Sequence, residues 1–357
     1  MAEKSNSFIE PATIPAWWKS TFQEISHFLS TEVRTGSVSE ISYSPGGRKV
    51  YAVEYGEKEN HLKGTANFNS ALGGRKLEAY FDKAKRQKPV LVVIGGIHGH
   101  EVEGMVATLS LINIIEKGIS LDGHDYSKLQ KQLQQLRVII IPLANPDGRE
   151  RCPYSSWVGN EADEMTKYGQ GTRKNGELYR WAPSKAVHPM RGDVGILGCY
   201  FDDNGVNMMH DNWANPMSAT TKVLLELVDK EGPDCLINLH SDIYPPDFHQ
   251  VQYTPYEHQL HVYEFASEFK KRLEAKPLTA GKLMVHPDND NANQRAIPAA
   301  LNLQSMFYHV GSSLNILYES THGIPPTSNY DHADILLAHH VLFEVAADKL
   351  LAELMEK

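Results

Sequence analysis

The chain has 357 residues, 41% hydrophobic and 22% charged, with a formal net charge of −9. That is an ordinary globular composition, long enough for one large domain or two modest ones. The negative balance gives no electrostatic case for nucleic acid or an anionic membrane, and no apolar run approaches the ~20 residues of a membrane span.

The N-terminus carries no apolar stretch of signal-peptide length. The cysteines, Cys152, Cys199 and Cys235, are few, odd in number and never in a Cys-x-x-Cys pair. They suit a reducing compartment, so the expected location is cytoplasmic, with the thiols buried or incidental. Histidine is the unusual count at 17, several of them beside Asp, Glu or Asn.

In chain order, residues 16–33 read as an amphipathic helix, with Trp17, Trp18, Phe22, Ile25, Phe28 and Leu29 at helical spacing. Ile41–Glu54 alternates like a hairpin around Ser44-Pro45-Gly46-Gly47. Residues 57–88 are polar and read as a surface excursion with one short strand. Val90–Ile94 is a buried strand, Val102–Lys117 a helix, and Leu136–Pro142 a second strand, too short and too β-branched for a helix. Residues 144–205 read as irregular. A helix over 216–231, a strand at Cys235–Leu239 and a helix over 257–275 follow. A polar loop at 276–296, a helix at 297–311, a strand at Leu314–Tyr318 and a closing helix at 331–355 complete the pattern. Strands alternating with helices imply an α/β sheet covered on both faces, and loops of such length usually line active sites.

Four apolar strands each deliver polar residues at their C-terminal ends. The first, running into Gly95-Gly96-Ile97, delivers His98 and Glu101, and the second leads into the turn Asn145-Pro146-Asp147-Gly148. The third ends in His240-Ser241-Asp242, and the fourth in Glu319-Ser320-Thr321. Sites in open α/β sheets form at such strand ends. Two histidines and a glutamate can hold one zinc ion with a position left open, and a separate glutamate can take a proton from water there. The spacing is degenerate, since His100 and Glu103 are also three apart. His98 and Glu101 are preferred because His98 directly follows the strand break.

In order along the chain, the motifs resemble those of the zinc carboxypeptidases. They are Gly96-Ile97-His98-Gly99-His100-Glu101, Asn145–Gly148, Arg173-Lys174-Asn175, Gly205-Val206-Asn207, Leu239-His240-Ser241 and Glu319. The resemblance spans roughly residues 37–350. It implies a mixed sheet of about eight strands sandwiched by helices, and one zinc ion held by His98, Glu101 and His240. It also implies Glu319 as general base and then acid, and Arg173 polarising the scissile carbonyl. The expected organisation is an N-terminal helical segment, 1–36, packed on a single catalytic domain, 37–357. The expected substrate is a peptide or acylated amino acid, with no nucleic acid or membrane partner. The alternatives are an N-acyl amino acid deacylase on the same fold and a non-catalytic metal- or peptide-binding member.

Two departures from the family pattern bear on function. Relatives that cut a C-terminal residue carry an Asn-Arg pair soon after Gly-Val-Asp, whose arginine clamps the substrate carboxylate. Here Gly205-Val206-Asn207-Met208-Met209-His210-Asp211-Asn212-Trp213 has no arginine in either register. If Asp211, beside His210, faces the pocket, a cationic or blocked group is favoured over an anionic terminus. An arginine from another loop (Arg295, Arg191, Arg180 or Arg149) is the alternative clamp, with Arg295 preferred. The second departure is Asn207, where the family has an aspartate that accepts from a zinc-bound histidine. An amide still orients the ring but raises its basicity less, so weaker metal binding is expected. The family's mobile tyrosine, some twenty residues before the catalytic glutamate, is also missing, and the loop 286–296 would hold its replacement. The aromatic stretch after His240 reads equally as cleft wall or as loop packing.

Overall fold

The computed structural model describes residues 12–59, 86–181, 188–282, 284, 286–288, 301–311 and 313–355. Helix α1 (Phe22–Glu32) starts later than the apolar spacing suggests. Thr21 caps it, and the Glu24 carboxylate reaches back to the Ser20 and Thr21 amides, which fixes the start. Trp17 and Trp18 therefore precede the helix. Trp18 is buried, and its indole N–H donates to the Ser155 carbonyl at 2.9 Å. The hairpin is present as β1 (Ser37–Tyr43) and β2 (Lys49–Tyr55), antiparallel around the expected turn.

Next come β3 (Val90–Ile94), α2 (Val102–Lys117), α3 (Ser127–Leu133) and β4 (Arg137–Ile141). The stretch expected to be irregular contains two short helices, α4 (Pro146–Arg151) and α5 (Ala162–Gly169). Asn145 starts α4 by accepting the Gly148 amide at 2.9 Å, with proline in the first turn. After them come α6 (Ala219–Glu231), β5 (Cys235–Asp242), β6 (Asp247–His249) and α7 (Tyr256–Glu274). The last elements are α8 (Leu303–Gly311), β7 (Leu314–Thr321) and α9 (His332–Met355). Most of the 57–88 excursion, its expected strand included, lies outside the described residues.

The described strands make one seven-stranded mixed sheet in the order β1-β2-β4-β3-β5-β7-β6. Its centre, β4-β3-β5-β7, is parallel, and β1, β2 and β6 add antiparallel edges. Both faces are covered. Leu91 and Val93 pack with Met105, Leu109, Phe265 and Leu342, whereas Val90, Val92 and Ile94 pack with Leu224, Val228 and Phe307. Burial on both faces is why these strands read as unbroken apolar runs. All three cysteines are buried free thiols. No helix among the described residues is long and apolar enough to cross a membrane.

Parallel pairing sets the site. β3, β5 and β7 are neighbours pointing the same way, so their C-terminal ends lie side by side. A glycine lets α2 sit close against β5. A Cβ at Gly104 would stand 2.7 Å from Leu239 Cβ, so the helix following Glu101 packs directly on the strand that carries His240 near its C-terminal end.

Candidate metal centre and active site

His98, Glu101 and His240 converge, each buried, with one ligand atom from each lying within 4.8 Å of the others. Glu101 Oε1 is 2.7 Å from His98 Nδ1, Glu101 Oε2 is 2.9 Å from His240 Nδ1, and the two Nδ1 atoms are 3.2 Å apart. Among the described residues this is the one such group of three. The turn before Glu101 rests on the Asn145–Gly148 turn, and a Cβ at Gly99 would stand 2.1 Å from the Arg149 nitrogen. The Asn-Pro-Asp-Gly motif is thus the platform beneath the ligand turn. Its Asp147 accepts from Ser44 Oγ at 2.5 Å, from the Gly46 and Asp203 amides, and from Arg48.

The arrangement favours metal-ready protonation states. Burial pushes His98 below the ordinary imidazole range, against the pull of Glu101. Burial works the other way on Glu101, but the His98 and His240 rings hold its carboxyl well below the usual range. His98 Nε2 lies 3.3 Å from Asn207 Oδ1. An amide oxygen can only accept there, so with a metal ion at Nδ1 the ring proton would sit on Nε2, facing Asn207. Two imidazole nitrogens and a carboxylate in a buried triangle are the donor set of a three-ligand zinc site with one position open.

Glu319 stands beside this group. It is the register partner of His240 across β5 and β7, and of Asp247 across β7 and β6. Burial first, then the charges of Glu101, Asp242 and Asp247, raise its carboxyl well above the usual range. A divalent cation among the ligands would offset that repulsion. His249 Nε2 is 3.9 Å from Glu319 Oε1. Glu319 also lines a cavity of about 390 Å³ with Asp242, Asp247, His249, Tyr244 and Lys282.

The other expected residues are placed differently. Arg173 stands with Asp193 at 3.3 Å, Glu177 at 3.7 Å and the Tyr179 ring at 4.5 Å, with no recorded contact to the ligand group among the described residues. Asp211 is buried, and its carboxylate accepts the Asn212, Met217 and Ser218 amides at 2.7, 2.9 and 3.0 Å. Its charge closes a loop instead of facing a substrate pocket, because a buried carboxylate is held by the amides nearest to it. His210 ends the short 3₁₀ turn Met208–His210, which Asn207 caps. Arg295 and most of the 286–296 loop lie outside the described residues.

Sequence reading missed several neighbours of the site. The Tyr200 ring lies 4.0 Å from the His98 ring and 4.7 Å from that of His100. Burial, followed by Glu101, Glu319 and Asp242, pushes its phenol well above the ordinary range. The Gly-Cys-Tyr context offers no signal for this. Glu103, the alternative ligand, pairs with His322, and His100 is fully buried beneath Tyr200. Asp247 escaped notice because the edge strand β6 is only three residues long.

Comparison with known proteins matches a family described as zinc carboxypeptidase to residues 23–349. Carboxypeptidase Z of Gallus gallus is 24% identical over 230 residues, 60% of this chain and 30% of that protein. The chain thus spans less than a third of that curated relative. A metallo-carboxypeptidase structure from Burkholderia cenocepacia matches with a TM-score of 0.57 at 12% identity, over 93% of this chain and 70% of that one. The carboxypeptidase A structure from Helicoverpa armigera gives a TM-score of 0.52 at 12% identity, over 98% and 76%. At such identities the structural likeness is one of fold.

Proposed function

This chain belongs to the zinc carboxypeptidase family, and on that premise we propose that it hydrolyses peptide or related amide bonds. His98, Glu101 and His240 hold one zinc ion, and Glu319 serves as general base. The observation that carries this reading is the buried two-histidine, one-glutamate triangle with a second carboxylate, that of Glu319, on the adjoining strand. When bound, zinc supplies Lewis acidity, polarising a carbonyl and making water acidic near neutral pH. Glu319 accepts the proton of the attacking water and returns it to the leaving nitrogen, the double duty of a base that becomes an acid. Glu101 and the neutral His98 ring stay deprotonated as donors, and Asn207 holds the His98 ring in its tautomer. Arg173 serves the scissile carbonyl by exchanging its Asp193 contact for the substrate. The chain over 37–357 acts as one catalytic domain, with Trp18, Ile25, Phe28 and Leu29 of the segment before it packed on its core.

Specificity departs from that of an enzyme clamping a free carboxylate. No arginine stands in the segment Gly205–Trp213, and Asp211 is spent on backbone amides. The cavity at Glu319 carries Asp242 and Asp247, neither within ion-pair distance of a lysine or arginine among the described residues. An anionic terminus entering there meets the carboxylates of Asp242 and Asp247 against the single cation Lys282, a balance that favours a cationic or blocked group.

The test is product analysis by mass spectrometry on a peptide library with free and amidated C-termini, with and without a zinc chelator. Chelator-sensitive cleavage that is lost in Glu319→Ala, with zinc binding kept, supports the reading. Wild-type protein that binds zinc yet cleaves neither peptides nor N-acyl amino acids refutes it.

A further inference from the structure

Glu103 and His322 form a buried pair that the proposed chemistry does not use. Glu103 Oε1 is 3.0 Å from His322 Nδ1, and both side chains are almost wholly enclosed, at 1% and 0% residue exposure. The second oxygen of Glu103 and the second nitrogen of His322 have no hydrogen-bond partner. This single contact therefore compensates two buried polar groups.

Its placement is what matters. Glu103 lies in the first turn of α2, two residues after the proposed ligand Glu101. His322 follows the last residue of β7, three residues after Glu319, and its amide donates to the Asp242 carbonyl at the end of β5 at 2.8 Å. In the sheet β3 and β7 are not neighbours, because β5 lies between them. No ladder hydrogen bond joins the ligand turn after β3 directly to β7; the ladders act through β5, which sets Glu319 opposite His240. The Glu103–His322 contact joins the two directly, spanning the end of β5.

Resting on the hydrolase reading above, we infer that Glu103 and His322 are positioning residues. They strap the end of β7 to the start of α2 and so hold the Glu319 carboxylate at a fixed separation from the metal-binding group. Among the described residues neither has a hydrogen bond or ion pair to a ligand of the proposed zinc, so the strap sets geometry and leaves affinity alone. Misplacing a reacting group by about 1 Å can cost about a hundredfold in rate.

The test replaces both partners with apolar groups, Glu103→Leu with His322→Phe, which leaves no unpaired buried charge and permits folding. Glu103→Gln, able to keep the hydrogen bond, serves as the conservative variant. The zinc dissociation constant is read by competition with a chromophoric chelator, kcat and KM are measured separately, and the zinc-loaded double variant is crystallised. The expected result is a fall in kcat of about ten- to a hundredfold, with KM and the zinc constant within about threefold and most of kcat kept in Glu103→Gln. The Glu319 carboxylate should be displaced by more than about 0.5 Å from its wild-type place. A folded double variant with unmoved Glu319 overturns the inference whether or not the wild type hydrolyses peptides. So does zinc affinity falling in step with kcat. A wild type that binds zinc but cleaves nothing counts against the hydrolase reading alone, and the crystal structure still decides the strap.

Discussion

Asn207→Asp is the most direct probe of how this metal centre is tuned. The Asn207 amide oxygen faces His98 Nε2 at 3.3 Å and also accepts the Met209 amide at 3.0 Å. A hydrogen bond between neutral groups is worth about 1 kcal/mol net, and one to a charged group about 1.5–3 kcal/mol. Replacing the amide with a carboxylate in the same place therefore strengthens the His98 contact by about 1 kcal/mol and makes the ring a better donor. With 1.4 kcal/mol per decade, the zinc dissociation constant should tighten by about five- to tenfold. The same change buries a carboxylate at a position only 5% exposed. The metal-free protein should then melt lower, and the rise in Tm on adding zinc should be larger than in the wild type. Chelator competition and paired melting curves with and without zinc measure both effects at pH 7. A folded Asn207→Asp variant that binds zinc no more tightly, or more weakly, refutes the idea that Asn207 acts through His98.

Removing a proposed ligand, by Glu101→Ala or His240→Ala, should weaken zinc binding by more than about a hundredfold, beyond what outer partners contribute. Equilibrium dialysis with metal analysis measures it. Glu319→Gln should lower kcat by about a hundredfold to ten-thousandfold while zinc stoichiometry stays at wild-type level. Asp147→Ala should cost about 1–3 kcal/mol, because the Ser44 hydroxyl and the Gly46 and Asp203 amides lose their acceptor while Arg48 keeps Asp203, and denaturant unfolding reads it. Burial opposes it, but the Ser44 hydroxyl, the two amides and Arg48 leave Asp147 below its ordinary value of 3.8. Its stabilisation is thus full above that value and is lost as pH falls through the lower folded value, so Asp147→Ala should show a flatter loss of stability below about pH 4. Asp247→Asn should reduce the preference for cationic over neutral substrates, seen as a ratio of kcat/KM values that moves toward one.

The parallel centre of the fold was legible because strands buried on both faces are continuous apolar runs, and Val90–Ile94 matches its expected bounds. The motif residues His98, Glu101, His240 and Glu319 were legible for a related reason. Parallel strands bring their C-terminal ends together, so a polar residue at each end is read as one place. The interior of 144–205 was not legible, because α4 starts from its Asn145 cap, and α4 and α5, at six and eight residues, are too short to show a long apolar period. Asp211 misled because sequence gives a charge but not its partners, and three backbone amides claim it. Glu103–His322 was hidden because the two residues are far apart in sequence and meet by crossing over a strand.

The ligand set also has a kinetic meaning. His98 and Glu101 follow β3, His240 lies two residues before the end of β5, and these strands pair in parallel with β4 and helices α2 to α6 between them. Closing such a long-range parallel pair is slow, and no local fragment contains the triangle. Zinc held as proposed would therefore have no tight site to occupy until the centre of the sheet is assembled, and its capture would mark completed folding. Once captured, a free ion at about 100 times its dissociation constant adds about 2.7 kcal/mol to the native state as a whole. A nick anywhere between β3 and β5 that lets the pair separate would release the metal and the stability together.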